Sequence, residues 1–198
     1  NNGIIKNLAL ENVNITCAPS RIIRAGGLAG YNYGTLYRCS VSGTITAASS
    51  DNVIGGLAGE VNSGNDYIAE CYSTARITGY AVCGGLAGEV YSGTILNCYS
   101  RGPVSGEPTA DVGGLFGAIN PAAVVRNSYA TNASSGLLIG TDTGGTVTNC
   151  SYGPSPLTAS WNITNALNPA YVWGIGSGIN GGYPYLQYFG AQTRLPPP

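Results

Sequence analysis

Gly26-Gly27-Leu28-Ala29-Gly30 returns as Gly55-Gly56-Leu57-Ala58-Gly59, Gly84-Gly85-Leu86-Ala87-Gly88 and Gly113-Gly114-Leu115-Phe116-Gly117. The starts at 26, 55, 84 and 113 are evenly spaced by 29 residues, and a worn copy, Gly136-Leu137-Leu138-Ile139-Gly140, follows after 23. Self-similarity at a fixed period in the range of about 20 to 50 residues marks a repeat architecture. The beat therefore decides the fold before any single residue is weighed.

A second phrase interleaves with the first: Gly34-Thr35-Leu36-Tyr37-Arg38-Cys39, Gly93-Thr94-Ile95-Leu96-Asn97-Cys98 and Gly145-Thr146-Val147-Thr148-Asn149-Cys150. Aligned with looser copies, it yields one column of Leu8, Cys39, Cys71, Cys98, Ser128 and Cys150. Six residues beyond three of those cysteines stands an aliphatic, Ile45, Ile77 or Val104. Each repeat thus holds three short β-type segments between Gly, Ser, Asn and Asp turn signals. Segments too short to bury a face alone must stack on their neighbours. The expected fold is all-β, a parallel β-helix (β-solenoid) of about six coils with three short strands per coil. Blades of a β-propeller are longer, at about 40 residues.

The solenoid is expected to occupy 1–152. From 153 to 190, Trp161, Tyr171, Trp173, Tyr183, Tyr185, Tyr188 and Phe189 crowd together with prolines. That aromatic bulk suits a C-terminal cap packed on the last coil, with a short helix or turn expected over Trp161 to Asn168. Residues 191–198, ending Leu195-Pro196-Pro197-Pro198, read as the start of a linker to further domains.

Within the coil, the glycine pairs (Gly26 and Gly27, Gly55 and Gly56, Gly84 and Gly85, Gly113 and Gly114) are expected to turn the chain with backbone angles a Cβ forbids. Gly30, Gly59, Gly88 and Gly117 close the phrase. Leu28, Leu57, Leu86 and Leu115 should stack inside, and a bend should bring Ala25, Ile54, Cys83 and Val112 inside too. Ala29, Ala58 and Ala87 read as a small outward column. Asn97, Asn127 and Asn149 suit a corner in the left-handed conformation.

Composition excludes several functions. Only 9% of the 198 residues are charged and the net charge is −1, so there is no clustered Lys and Arg for nucleic acid. No apolar run approaches the roughly 20 residues that span a bilayer. Histidine is absent, which removes the serine triad, the Cys-His pair and the common zinc sites. Asn1 opens directly on patterned sequence, as in a mature or excised chain. The low-charge, Gly/Ser/Thr/Asn-rich habit fits a secreted or cell-surface protein.

These residues resemble the GLUG-repeat family, named for the Gly-Leu-x-Gly core, here Gly27-Leu28-Ala29-Gly30 and its copies. Cys98-Tyr99-Ser100 and the closing Gly181-Gly182-Tyr183-Pro184-Tyr185-Leu186 resemble its companion phrases. The resemblance implies a β-helical module of bacterial surface adhesins and of noncatalytic regions of immunoglobulin A metalloproteases. It supplies no catalytic residue, and the zinc motif of those proteases is not in this chain.

Four sets of residues are candidates for more than structure. The even count of six cysteines would suggest disulfides in an extracellular protein. Yet Cys39, Cys71, Cys98 and Cys150 share a column with Leu8 and Ser128, and Cys83 takes the place of Ile54 and Val112. They are expected to be free core thiols, with Cys17, which fits no column, the exception. Glu60 and Glu89 follow the glycine phrase in successive coils. They form a weak metal site or hydrolytic pair, against the plainer reading of a solvated edge. Tyr72, Tyr99 and Tyr129 follow the cysteine column and should point outward as an exposed stripe able to stack on sugar rings. The sequons at Asn14, Asn132, Asn149 and Asn162 arise easily in such a composition. The functional expectation is a noncatalytic module, without cofactor, for adhesion or presentation. Its partner would be a glycan, polysaccharide or host protein, bound through a lateral face. A carbohydrate-active β-helix enzyme and a pure stalk or fibre unit are the alternatives.

Overall fold

The computed structural model describes residues 1–18 and 22–153, the side chain of Asp66 aside, together with the backbone of Ile163–Thr164, Trp173–Gly174 and Tyr185–Leu186. The described residues form strands and turns without a helix, arranged as a parallel β-solenoid. The first face stacks Ile4–Lys6, then Ala29–Asn32 with Thr35–Tyr37, then Ala58–Ala69, Ala87–Leu96 and Phe116–Arg126, and last Ile139–Asp142 with Thr146–Thr148. The second stacks Ala9–Cys17, Ser40–Ala47, Tyr72–Ser73 with Arg76–Thr78, Tyr99–Ser100 with Val104–Ser105, Tyr129–Ala130 and Ser151–Tyr152. The third holds Arg24–Ala25, Val53–Gly55, Val82–Gly84 and Asp111–Gly113.

Two faces therefore have six levels and the third has four, which makes four complete coils among the described residues instead of six. One of the two missing levels has a local cause, and the other falls after residue 153, outside the described residues. The last repeat interval is 23 residues where the others are 29. The six missing residues fall between Tyr129–Ala130 and Leu138, where only the isolated bridge Val104↔Ala133 forms. Even so, the worn copy stays in register, with Phe116 opposite Ile139.

Register carries the repeat into the core. Ile15, Ile45, Ile77 and Val104 pair level to level, as do Ile54, Cys83 and Val112. Leu57, Leu86 and Leu115 are wholly buried, with Leu28 packed against the same cluster. The leucine corner is also a backbone ladder: the N–H groups of Leu28, Leu57, Leu86 and Leu115 donate to Leu57, Leu86, Leu115 and Leu138 carbonyls at 2.8–2.9 Å. Backbone groups at a turn are thereby satisfied by the next coil, as buried polar groups must be.

The glycines act by a different mechanism from the one expected. No glycine of the four full copies has a φ in the left-handed range. What the site demands is close approach: a Cβ on Gly55 would strike the Ala58 carbonyl and the Ala87 backbone, and one on Gly84 the Ala87 carbonyl. The same crowding corrects the alanine column, since Ala58 and Ala87 are fully buried under the glycines of the adjacent coil.

The C-terminal cap expected over 153–190 and the linker over 191–198 lie outside the described residues except for Gly153 and the backbone of three short strands. Ile163–Thr164 pairs parallel with Trp173–Gly174, which pairs antiparallel with Tyr185–Leu186. Of the segment Trp161 to Asn168, expected as a short helix or turn, only Ile163–Thr164 is described, and it is a strand.

Gly84→Ala should destabilise the fold by about 3 kcal/mol, because backbone faces the added methyl and cannot move aside. Gly3→Ala, with nothing within 4 Å of the new atom, should change stability by less than about 0.5 kcal/mol. Urea unfolding of both variants measures the contrast.

Candidate functional site

Tyr72, Tyr99 and Tyr129 occupy one column of the second face, between Ser40 and Ser151. They are not the exposed stripe expected: their exposures are 3%, 0% and 0%. Strand spacing explains how rings can cover each other here. Adjacent coils rise by about 4.8 Å, close to the stacking distance of aromatic rings, and the centroids lie 4.9 and 5.1 Å apart with planes within 8°. Burial pushes the Tyr72 phenol up to about 12. A sugar cannot reach these faces, and the stripe is withdrawn as a binding site.

The cysteine column is a hydrogen-bonded corner as well as core. All six cysteines are free, and Cys39, Cys71, Cys83 and Cys98 are wholly buried. Cys17, expected to stand apart, is in register with Ala47. Each columnar thiol donates to the carbonyl two residues back, Cys71 to Ala69 at 3.2 Å, Cys98 to Leu96 at 3.2 Å and Cys150 to Thr148 at 3.3 Å. Ser128 does the same to Arg126 at 2.9 Å. Accordingly, every coil after the first, where Leu8 fills the column, places a small donor here, a stricter demand than small and apolar. Burial pushes Cys71 well up and Cys83 up to about 12. The hydrogen bond from Cys71 makes Cys39 the easier proton of that pair to lose.

The residue before each of these is left-handed: Asn7, Arg38, Glu70, Asn97, Asn127 and Asn149 have φ between 50° and 55°. Two of the six are not Asn, and they compensate each other. Arg38 Nε donates to Glu70 Oε2 at 2.8 Å. Above them the amides form a ladder, Asn149 Nδ2 to Asn127 Oδ1 at 2.8 Å and Asn127 Nδ2 to Asn97 Oδ1 at 3.3 Å.

Glu60 and Glu89 are in register on the first face, but neither is a solvated edge nor half of a metal site. Glu60 is 7% exposed and accepts from Arg24 Nε at 3.0 Å. Glu89 accepts from Asn120 Nδ2 at 3.2 Å. Separate partners relieve the repulsion that stacked carboxylates would otherwise suffer. No group of three potential metal ligands exists among the described residues.

The exposed aromatic surface lies around these glutamates, at positions the repeat columns do not mark. Tyr31, Tyr33, Tyr67 and Tyr91, each more than 40% exposed, all belong to the first face. Tyr31 is directly in register with Glu60. It stacks on Tyr33 at 6.1 Å and 9°, and the Arg24 guanidinium lies 5.8 Å from its ring centre. Toward the left-handed corner, Tyr37 meets Tyr67 edge to face at 6.1 Å, with Arg38 4.6 Å from the Tyr37 centroid. Glu89 pushes the Tyr91 phenol up. The signal that could have found the site is departure from the repeat: Tyr31 stands where the next two coils carry Glu.

Cys98→Ser should keep the corner bond and lose less than about 1 kcal/mol. Cys98→Val should lose about 1–1.5 kcal/mol, the net worth of one hydrogen bond, because the Leu96 carbonyl then keeps only the Glu70 N–H at 3.0 Å. Thermal unfolding of the two variants reads the order, and a more stable Val variant would show that the position wants only an apolar side chain.

The GLUG motif family model matches residues 23–46, the segment running from the third-face strand through the Gly26 phrase to the second face. No curated protein matches the chain. Among solved structures, the chain is similar to a crystal structure of a proposed immunoglobulin A1 protease from Bacteroides ovatus. The TM-score is 0.65 and the identity 24%, over 94% of this chain and 69% of that one. At that identity the likeness is one of fold. The resemblance read from Gly27-Leu28-Ala29-Gly30 is thus met by a GLUG motif at residues 23–46, carried on a β-solenoid.

Proposed function

We propose that this chain is a noncatalytic module of a secreted or cell-surface bacterial protein that binds a glycan or protein partner through the first face. A stack of coils bonded edge to edge makes a stiff support, and binding residues are most accurately held on such a scaffold. The observation that carries the reading is the gathering of Tyr31, Tyr33, Tyr67 and Tyr91 on one face of a chain poor in charge. Tyrosine is enriched where one surface recognises another, since its ring brings contact area with little entropy to lose. The paired Glu60 and Glu89 suit recognition better than hydrolysis, because each carboxylate is already held by a neighbour.

The stalk reading draws on the first coil, where Ile4, Leu8 and Ile22 are exposed; a solution mass above monomer would favour it.

Arrayed glycans and immobilised host glycoproteins should retain the chain. Tyr31→Ala/Tyr33→Ala should weaken that retention at least about tenfold, whereas Tyr80→Ala, an exposed tyrosine outside this face, should leave it unchanged. Equal loss from both variants, or no retention of the native chain, would overturn the proposal.

A further inference from the structure

The aromatic residues of the first face are not spread evenly. They form two clusters: Tyr31 and Tyr33 with Arg24 near the glycine corner, and Tyr37 and Tyr67 with Arg38 near the left-handed corner. Tyr31 and Tyr37 lie six residues apart on the same level, with the chain outside a strand at 33–34, so the clusters lie at most about 20 Å apart along the strand direction at roughly 3.3 Å per residue. Between them the chain bulges: Asn62 and Tyr67 of one level face Ser92 and Thr94 of the next, three residues of the longer strand being extra. That bulge is tied down by Gly64 N–H donating to Ser92 Oγ at 3.1 Å and Ser92 Oγ donating to Asn62 Oδ1 at 2.8 Å. Polar amide and hydroxyl groups therefore occupy the span between two aromatic platforms.

Charge narrows the ligand. Arg24 is matched by Glu60 and Arg38 by Glu70. The remaining described charges of the face, Lys6 and Arg126 against Glu89 and Asp142, bring it to four cations and four carboxylates. A sulfated or uronic polymer needs an excess of cations, as any polyanion does, and meets none here. A protein partner of ordinary size wants a continuous apolar centre, whereas here two narrow platforms flank a polar span. An uncharged sugar chain fits both features, with apolar ring faces for the tyrosines and hydroxyls for the amides and Glu89.

Resting on the assignment of this face as the binding surface, we infer that its ligand is an uncharged, extended oligosaccharide lying along the strands, across the rod axis, and engaging both platforms at once. The platforms are held in advance by their own arginines and stacked rings, which lowers the ordering cost of binding. Two linked contacts act as one bivalent site, so affinity depends on whether the ligand is long enough to join them.

The test is calorimetric titration of the whole chain with uncharged gluco-, manno-, galacto- and xylo-oligosaccharides, from disaccharide to octasaccharide. Heparin and a host glycoprotein stripped of its glycans serve as comparators. Affinity for one neutral series should rise about tenfold or more once the oligomer spans roughly 20 Å, with little change on raising salt. Tyr33→Ala and Tyr67→Ala should each weaken the long oligomer about tenfold, while a short oligomer responds to only one of them. Melting curves of both variants, whose rings are exposed, check that the fold is retained. Salt-sensitive heparin binding, or binding of the stripped protein alone, lost in these variants, would overturn the inference while keeping the face as a binding surface. Binding of no probe, or binding indifferent to both substitutions, would overturn the two together.

Discussion

The structure depends on one distance: successive coils rise by a single strand spacing, about 4.8 Å, through corners as well as strands. Strands tolerate that spacing with any side chain, because side chains leave the plane of the sheet. Corners do not. At the phrase around Gly55 and Gly84 the backbone of one coil meets the backbone of the next where a Cβ would sit. Glycine is required there for its lack of a side chain, and the inter-coil bonds of Leu28, Leu57, Leu86 and Leu115 form because that approach is possible.

The second corner solves the same problem with polar side chains. Its left-handed residues cost about 1–2 kcal/mol each unless Asn or Gly takes them, and the Asn97, Asn127, Asn149 ladder both accepts the conformation and bonds along the axis. Where the column departs from Asn, Arg38 and Glu70 replace the amide ladder with an ion pair. The next residue donates to the corner carbonyl, which is why Cys and Ser exchange there. Turn chemistry and core packing thus converge on adjacent columns, and the rod's faces are left to vary.

Much of this was legible in the sequence because it repeats. The leucine column, the Ile45, Ile77, Val104 column and the left-handed asparagines follow from alignment of the chain with itself. Tyr72, Tyr99 and Tyr129 were misread because alternation tells which side of a sheet a residue faces, not what covers that side. The glycines were recognised but their cause was not, since a repeated Gly signals either a positive φ or a close approach and only the neighbouring coil distinguishes them. The coil count among the described residues differs because one third-face strand is lost to a deletion, visible as the interval of 23 but not localisable without the register, and another level falls outside those residues. Tyr31, Tyr33, Tyr67 and Tyr91 escaped because they repeat no residue type, Tyr31 standing in register with Glu60 and Tyr67 with Thr94; recognition by a repeat protein lives in such departures, where the fold leaves the residue free.

Backbone amide hydrogen exchange tests the central claim most directly, since it reads whether the corners are bonded from coil to coil. The N–H groups of Leu57 and Leu86 should exchange only through global unfolding, as slowly as those of Ile68 and Ile95 in the long strands. Exchange of the leucine amides at the rate of the exposed bulge around Gly64 would contradict it, showing that the corners open independently and that the glycine contact does not hold the coils together.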